Sequence, residues 1–375
     1  MKHPGYILIL LLLLNGCVSE FIPRTTESKA LLVVEGLITD QPGINTIKLT
    51  RSLPLGTTTS AKPVKGCTVT IYDDLGNTYN LTETSSGTYV TDASQFQGVV
   101  GRSYTLHIST NDVNNTTYES YPAEMRPVPV IDTLYYEKKA ISVLDDSIIT
   151  QAGCNVYLNT HDPTNQCKYY RWEYIETWEI HLPYVVTNKI CWVSDNSDVI
   201  NIKSTSALDE SRITKFHLNY ISNESDRLSV RYSMLVNQYS ISEDEYGYWE
   251  KLQKFSEQEG SLYDMIPSSV PSNVYCVNNA DEKVLGYFSV SASSSKRVFV
   301  KGNFSGLYNP YTPDICVADT IYNNADIQHL NSYVWIIATH TIPPPPYVVT
   351  TYNKGCADCT VRGTNIEPDY WEEAK

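Results

Sequence analysis

The 375 residues carry 42 acidic against 28 basic side chains, a formal charge of −14. That balance argues against nucleic-acid partners, whose recognition rests on basic surface. With 29 tyrosines, frequent Thr, Ser and Val, and Asn, Gly and Pro punctuating short runs, the composition is that of a mainly β protein.

Lys2 and His3 open the chain, and an uninterrupted apolar run follows from Tyr6 to Leu14. The run falls short of the roughly 20 residues a membrane-spanning helix needs, but it has the length and flanks of a signal-peptide hydrophobic region. Leu14-Asn15-Gly16-Cys17 then reads as a lipobox. Residues 1–16 are therefore expected to be removed as a signal peptide, and Cys17 to be lipidated. Acyl chains would tether a soluble domain, each buried CH₂ adding about 0.8 kcal/mol. Outside this run no segment approaches about 18 consecutive apolar residues, so the reading is anchored and not spanning. Residues 17–29 are polar with one proline and read as a lipidated tether.

Residues 30–125 carry about seven short strand signals with turns between them, the pattern of an immunoglobulin-like or transthyretin-like β-sandwich. Leu31 to Ile38 is a buried strand, Thr46 to Arg51 its partner, and Asp73 to Asn77 the turn of a hairpin that returns over Thr78 to Thr82. Gly87 to Val90 and Ser103 to Ile108 complete the set. Arg126-Pro127-Val128-Pro129-Val130 is a stiff connector over 126–130.

A larger antiparallel β domain is expected over 131–375. Its strand signals are Asn155 to Thr160, Tyr169 to Ile180, Tyr184 to Trp192, Ile213 to Ile221, Leu228 to Val236, Val284 to Val290, Lys296 to Val300, Tyr333 to Thr339 and Tyr347 to Thr351. Ser293 to Ser295 reads as a turn, and Pro343 to Pro346 as a rigid connector. One helical insertion, 242–259, interrupts the region. Ser242 with Glu245 makes a capping-box pattern, and Tyr246, Trp249, Leu252 and Phe255 recur at helical spacing.

Besides Cys17, eight cysteines remain: Cys67, Cys154, Cys167, Cys191, Cys276, Cys316, Cys356 and Cys359. An even set in an exported chain reads as disulfides, with Cys154 and Cys167 a candidate local pair. The Cys356-Ala357-Asp358-Cys359 motif also allows metal or redox chemistry, but it lacks the second pair a zinc site needs. His161-Asp162 before Pro163 is turn chemistry. No Gly-x-Ser-x-Gly, His-Glu-x-x-His or phosphate loop is present, so no catalytic residue, metal or cofactor is assigned. Trp172, Trp178 and Trp192 are the first rings to inspect as binding platforms.

The order of Leu32-Val33-Val34-Glu35-Gly36, Pro127 to Asp132, Tyr169-Tyr170-Arg171-Trp172, Glu176-Thr177-Trp178, Cys191-Trp192, Arg231-Tyr232-Ser233, Gly286 to Val290, Cys356 to Cys359 and Pro368 to Trp371 resembles the Bacteroidota lipoproteins grouped as domain of unknown function four-two-four-nine. The resemblance implies an outer-membrane lipoprotein, often encoded beside a TonB-dependent transporter, with no established activity. Only Ser19-Glu20 follows Val18 where surface lipoproteins of these bacteria carry an acidic run, so the cell-surface and periplasmic faces both stay open. The leading expectation is a non-enzymatic accessory or binding partner of such a transporter, contacting it through the helical insertion at Trp249. The alternatives are a surface hydrolase acting on glycan or peptide, and a structural or adhesive surface protein.

Overall fold

The computed structural model describes residues 30–53, 60–111, 115–141, 151–223, 225–257, 270–301, 317–322, 330, 332–341 and 347–374. Cys17, the signal and tether segments, Cys316 and Pro343 to Pro346 lie outside the described residues.

The chain is mainly β, and its strands follow side-chain alternation. Along Ser103–Ser109 every second residue, Tyr104, Leu106 and Ile108, is buried. Period-2 patterning of this kind buries one face of each strand. In the first sandwich, one sheet runs 284–290, 32–38, 46–51, 88–90, 82–85 in space, and the other 274–276, 117–120, 103–109, 68–73, 78–80. Val34, Ile47 and Leu49 from one sheet and Ile71, Leu106 and Ile108 from the other are fully buried in one core. The expected hairpin turn is closed by Asp73, whose Oδ1 accepts from the Leu75 and Asn77 backbone N–H groups at 3.0 and 2.9 Å. Gly76 there sits at φ +87°, a conformation that glycine adopts without steric penalty.

The second sandwich sets a sheet ordered 190–196, 169–181, 231–240, 293–301 against a three-stranded sheet of 131–141, 151–162 and 211–222. Trp172, Tyr232, Met234 and Val236 from the first pack in one core with Val156 and Leu158 from the second. A small third sheet joins 319–321, 347–351 and 335–340. Beyond it the C-terminal segment covers the outer face of the second sandwich. Trp371 Nε1 donates to Glu179 at 3.0 Å, Tyr370 meets Thr177 at 3.0 Å, and Cys359 is disulfide-bonded to Cys191.

The two sandwiches do not divide at the 126–130 connector alone. Leu32–Ile38 pairs in parallel with Val284–Val290, and Thr117–Ser120 pairs with Val274–Cys276. Both sheets of the first sandwich are thus completed by strands from beyond residue 270. Fully buried Ser291 marks the return to the second sandwich: its N–H donates to Ile38 O at 3.1 Å, and its hydroxyl donates to Ser240 O at 2.9 Å. The helix and the residues after it are therefore not a removable insertion in a hairpin.

Local expectations differ in three places. Ser293–Ser295 opens the strand Ser293–Lys301 instead of turning, because the change of sandwich happens just before it, at Ser291. Leu228 lies in the short helical turn Asp226–Leu228 and is buried there, so that strand begins at Arg231. Tyr184 to Lys189 forms no strand, and Ile190–Asn196 carries the pairing with 169–181.

The cysteine expectation is also corrected. Cys67, Cys154, Cys167 and Cys276 carry thiols, the last three of them buried. Cys154 pairs in register with Ile221, while Cys167 O accepts from the Ser211 side chain at the other end of the same neighbouring strand. At about 3.3 Å per residue that separation is several times the reach of a disulfide. Burial pushes both thiols up to about 11, which keeps them protonated.

Candidate functional site

The helix Glu243–Glu257 lies in the seam between the sandwiches. Its start follows the capping pattern only halfway. Ser242 Oγ accepts from the Glu245 N–H at 3.1 Å, but the Glu245 carboxylate does not turn back to the cap. It points inward, 2% exposed, and its Oε1 accepts from Trp249 Nε1 at 3.1 Å and from the Ser289 hydroxyl at 2.7 Å. Ser289 belongs to the first sandwich. The Arg171 guanidinium of the second sandwich sits 4.0 Å from the Trp249 ring centroid and also pairs with Glu173. One carboxylate and one indole thus fasten both sandwiches to the helix. Burial raises the Glu245 pKa, opposed by the charge of Arg171 and by its two donors.

Two clefts flank this clasp. The first, about 610 Å³, opens between the helix start and the first sandwich beside Tyr121, Arg126 and Lys251. The second, about 530 Å³, lies between the helix and the outer face of the sheet that holds Leu32–Ile38. Val33, Leu37, Leu252, Leu285, Tyr287 and Trp249 give it a largely apolar wall. Tyr287 packs against Tyr248 at 4.8 Å between ring centroids. Burial pushes the Tyr248 hydroxyl up to about 12, so it is a neutral hydrogen-bonding group at any physiological pH.

Trp249 is half-buried, with its N–H committed to Glu245 and one ring face to Arg171. What it offers outward is a wall of the second cleft. Trp172, Trp178 and Trp192 are no platforms: they are 0%, 5% and 8% exposed. Trp172 Nε1 donates to Gln238 at 2.9 Å, and Gln238 in turn donates to Pro129 O at 2.8 Å. His161 pairs with Asp132 at 2.7 Å. Asp162 Oδ2 closes the expected turn by accepting from the Gln166 and Cys167 N–H groups at 2.7 Å.

The Cys356-x-x-Cys359 motif is structural. Cys359 is bonded to Cys191, and Cys356 is disulfide-bonded as well. Among the described residues no group of three or more His, Cys, Asp or Glu side chains is placed to hold a metal ion.

Composition and periodicity gave no warning of Glu245, Ser289, Arg171 or Glu176 as interior polar groups. Arg171, Glu176 and Ser289 do stand inside the motifs that carry the family resemblance, the only signal that pointed to them.

Fold and clefts together define a protein of two β-sandwiches that share the segment 270–301 and clasp a helix between them. The family model described as Domain of unknown function (DUF4249) matches residues 18–297, more than half of the chain, and the chain belongs to that family. No curated protein matches it. The matched region includes the clasp and its clefts, whereas the small third sheet and Cys359 lie beyond it.

Proposed function

We propose that this protein is a lipid-anchored outer-membrane lipoprotein that acts by binding, as a non-enzymatic accessory of a TonB-dependent transporter. The observation that carries the reading is the apolar and aromatic cleft beside Trp249. Concave apolar walls with a few fixed polar groups suit the seating of a partner segment or a cargo molecule. The anchor rests on the lipobox at Cys17, and the partner class on the neighbourhood implied by the family resemblance.

The test is affinity capture of the tagged full-length chain from native membranes. One transporter should co-purify in near-equal amount. Val33→Glu, on the cleft wall facing the helix, and Trp249→Ala should reduce that recovery while both variants stay folded and membrane-bound. An interface aromatic of this kind is often worth 2 kcal/mol or more. Cys17→Ser should abolish palmitate labelling and release the chain from the membrane fraction. Recovery of no transporter would defeat the proposal. So would hydrolysis of a glycan or peptide by the purified protein, provided a single carboxylate substitution stopped it.

A further inference from the structure

The described chain enters the fold at one end of the first sandwich. Leu31 N–H donates there to Ser52 Oγ at 2.9 Å, and Leu32 stands in register between Arg51 and Val284. Lys62 lies opposite Arg51, so Lys283, Leu31, Arg51 and Lys62 follow one another along the rim of that sheet. The second sandwich joins at the other end. Ser291 N–H donates to Ile38 O at 3.1 Å, and Ser293 N–H to Asp40 Oδ1 at 2.8 Å. The two sandwiches therefore stand end to end, and residues 17–29 lead away from the end remote from the second.

Charge is spread unevenly along this stack. Lys62, Lys65 and Lys283 are exposed at the free end, and none of them is in a salt bridge with a described residue. One exposed carboxylate, Asp281, shares the rim. The two other acidic groups there are half-buried and turned inward. Glu83 accepts from the Gly66 and Gly87 N–H groups at 2.9 Å each, and Glu282 from the Tyr118 hydroxyl at 2.5 Å. With Arg51, four basic against three acidic side chains leave this end at +1, in a chain whose formal charge is −14.

We propose that this end rests on an anionic lipid surface, with Lys62, Lys65 and Lys283 against headgroup phosphates. The inference builds on the anchor at Cys17. The chain from Cys17 to Lys29 can span at most about 45 Å, so this end of the fold stays within reach of the headgroups. Lipid phosphates attract the lysines at short range and repel the acidic remainder of the chain. Both effects turn the stack upright. The cleft beside Trp249 then opens low. Its wall residues Val33 to Leu37 lie about 3–17 Å along their strand from Leu32. A partner embedded in the same membrane reaches that cleft without a long extension of its own.

Orientation can be read without relying on acylation. A chain starting at Val18, with hexahistidine in place of Cys17, is held by a nickel-chelating lipid on vesicles of equal parts phosphatidylcholine and phosphatidylglycerol. Bimane is placed at Ala280→Cys, in the turn at the free end, or at Val185→Cys, each in a Cys67→Ser background. Val185 is 90% exposed and follows the end of Tyr169–His181 that points away from Ser240 and the first sandwich. A spin-labelled headgroup lipid should quench Ala280→Cys about threefold more than Val185→Cys, and about 0.5 M salt should level the two. Lys62→Glu with Lys65→Glu and Lys283→Glu should level them as well. These side chains are exposed, so melting should match the parent chain. Equal quenching at both positions overturns the proposal. So does a contrast that survives the triple reversal, or one as large on phosphatidylcholine alone. Palmitate labelling tests Cys17 by itself, so the two readings fail separately.

Discussion

Trp249 Nε1 donates to Glu245 Oε1 at 3.1 Å across one turn of the helix, and the same oxygen takes the Ser289 hydroxyl of the first sandwich at 2.7 Å. A single buried atom therefore joins the helix to the first sandwich, beside the Trp249–Arg171 contact that joins it to the second. Glu245→Gln retains a carbonyl oxygen for both donors and removes the titration.

That substitution gives a pH signature. Burial raises the Glu245 pKa in the folded state, so the folded chain holds the proton more tightly than the unfolded chain. The resulting stabilisation is complete below the ordinary glutamate range and is lost as pH climbs through the raised value. Urea midpoints of Glu245→Gln and the parent should nearly coincide at about pH 4 and separate by about pH 8 in favour of the glutamine. An advantage that shrinks with rising pH would mean that Arg171 outweighs burial.

Gln238 carries a second buried relay. Replacing it by Leu leaves the Trp172 N–H without its acceptor at zero exposure and also removes the donor to Pro129 O. Loss of about 1–3 kcal/mol is expected from stranding one buried polar group. Equilibrium unfolding measures it, and an unchanged midpoint would show the relay to be energetically idle.

The Cys191–Cys359 bridge closes 168 residues. By the loop-entropy model such a closure is worth about 5 kcal/mol. Cys191→Ser with Cys359→Ser should lower the melting temperature, and limited proteolysis should cut first in the segment after residue 352. Equal melting with the first cut elsewhere would show that Trp371 and Tyr370 hold that segment unaided.

Thiol chemistry follows burial. Half-buried Cys67 should react with Ellman's reagent before Cys154, Cys167 and Cys276 in the native chain. The two thiols pushed up to about 11 should stay silent at about pH 8 until denaturant is added. Rapid native labelling of Cys154, followed by peptide mapping, would contradict the packing described.

Much of this was legible in the sequence. Thr46–Arg51, Val284–Val290 and Tyr347–Thr351 emerge with the bounds that alternation implies, and Ser242 starts the helix as its capping pattern says. Periodicity is a local signal, and it reports faces well. The parallel register of Leu32 with Val284 left no local trace, because a parallel pair is set by what lies far along the chain. Charged residues read as surface by default, which hid Glu176 and Glu245 inside strand and helix patterns. Trp249, expected from the sequence to contact a partner, lies half-buried in the seam, with its N–H and one ring face spent inside the molecule.

The strands Val274–Cys276 and Val284–Val290 fix a timetable as well as a topology. A chain made from its N-terminus delivers Leu32 to Ile38 long before the strand that will lie beside it. Until residue 290 has emerged, both sheets of the first sandwich present a bare edge, with backbone N–H and C=O groups open to any other extended chain. A chaperone that shields such edges, or rapid delivery of the following 250 or so residues, is thus built into what this architecture requires of its cell.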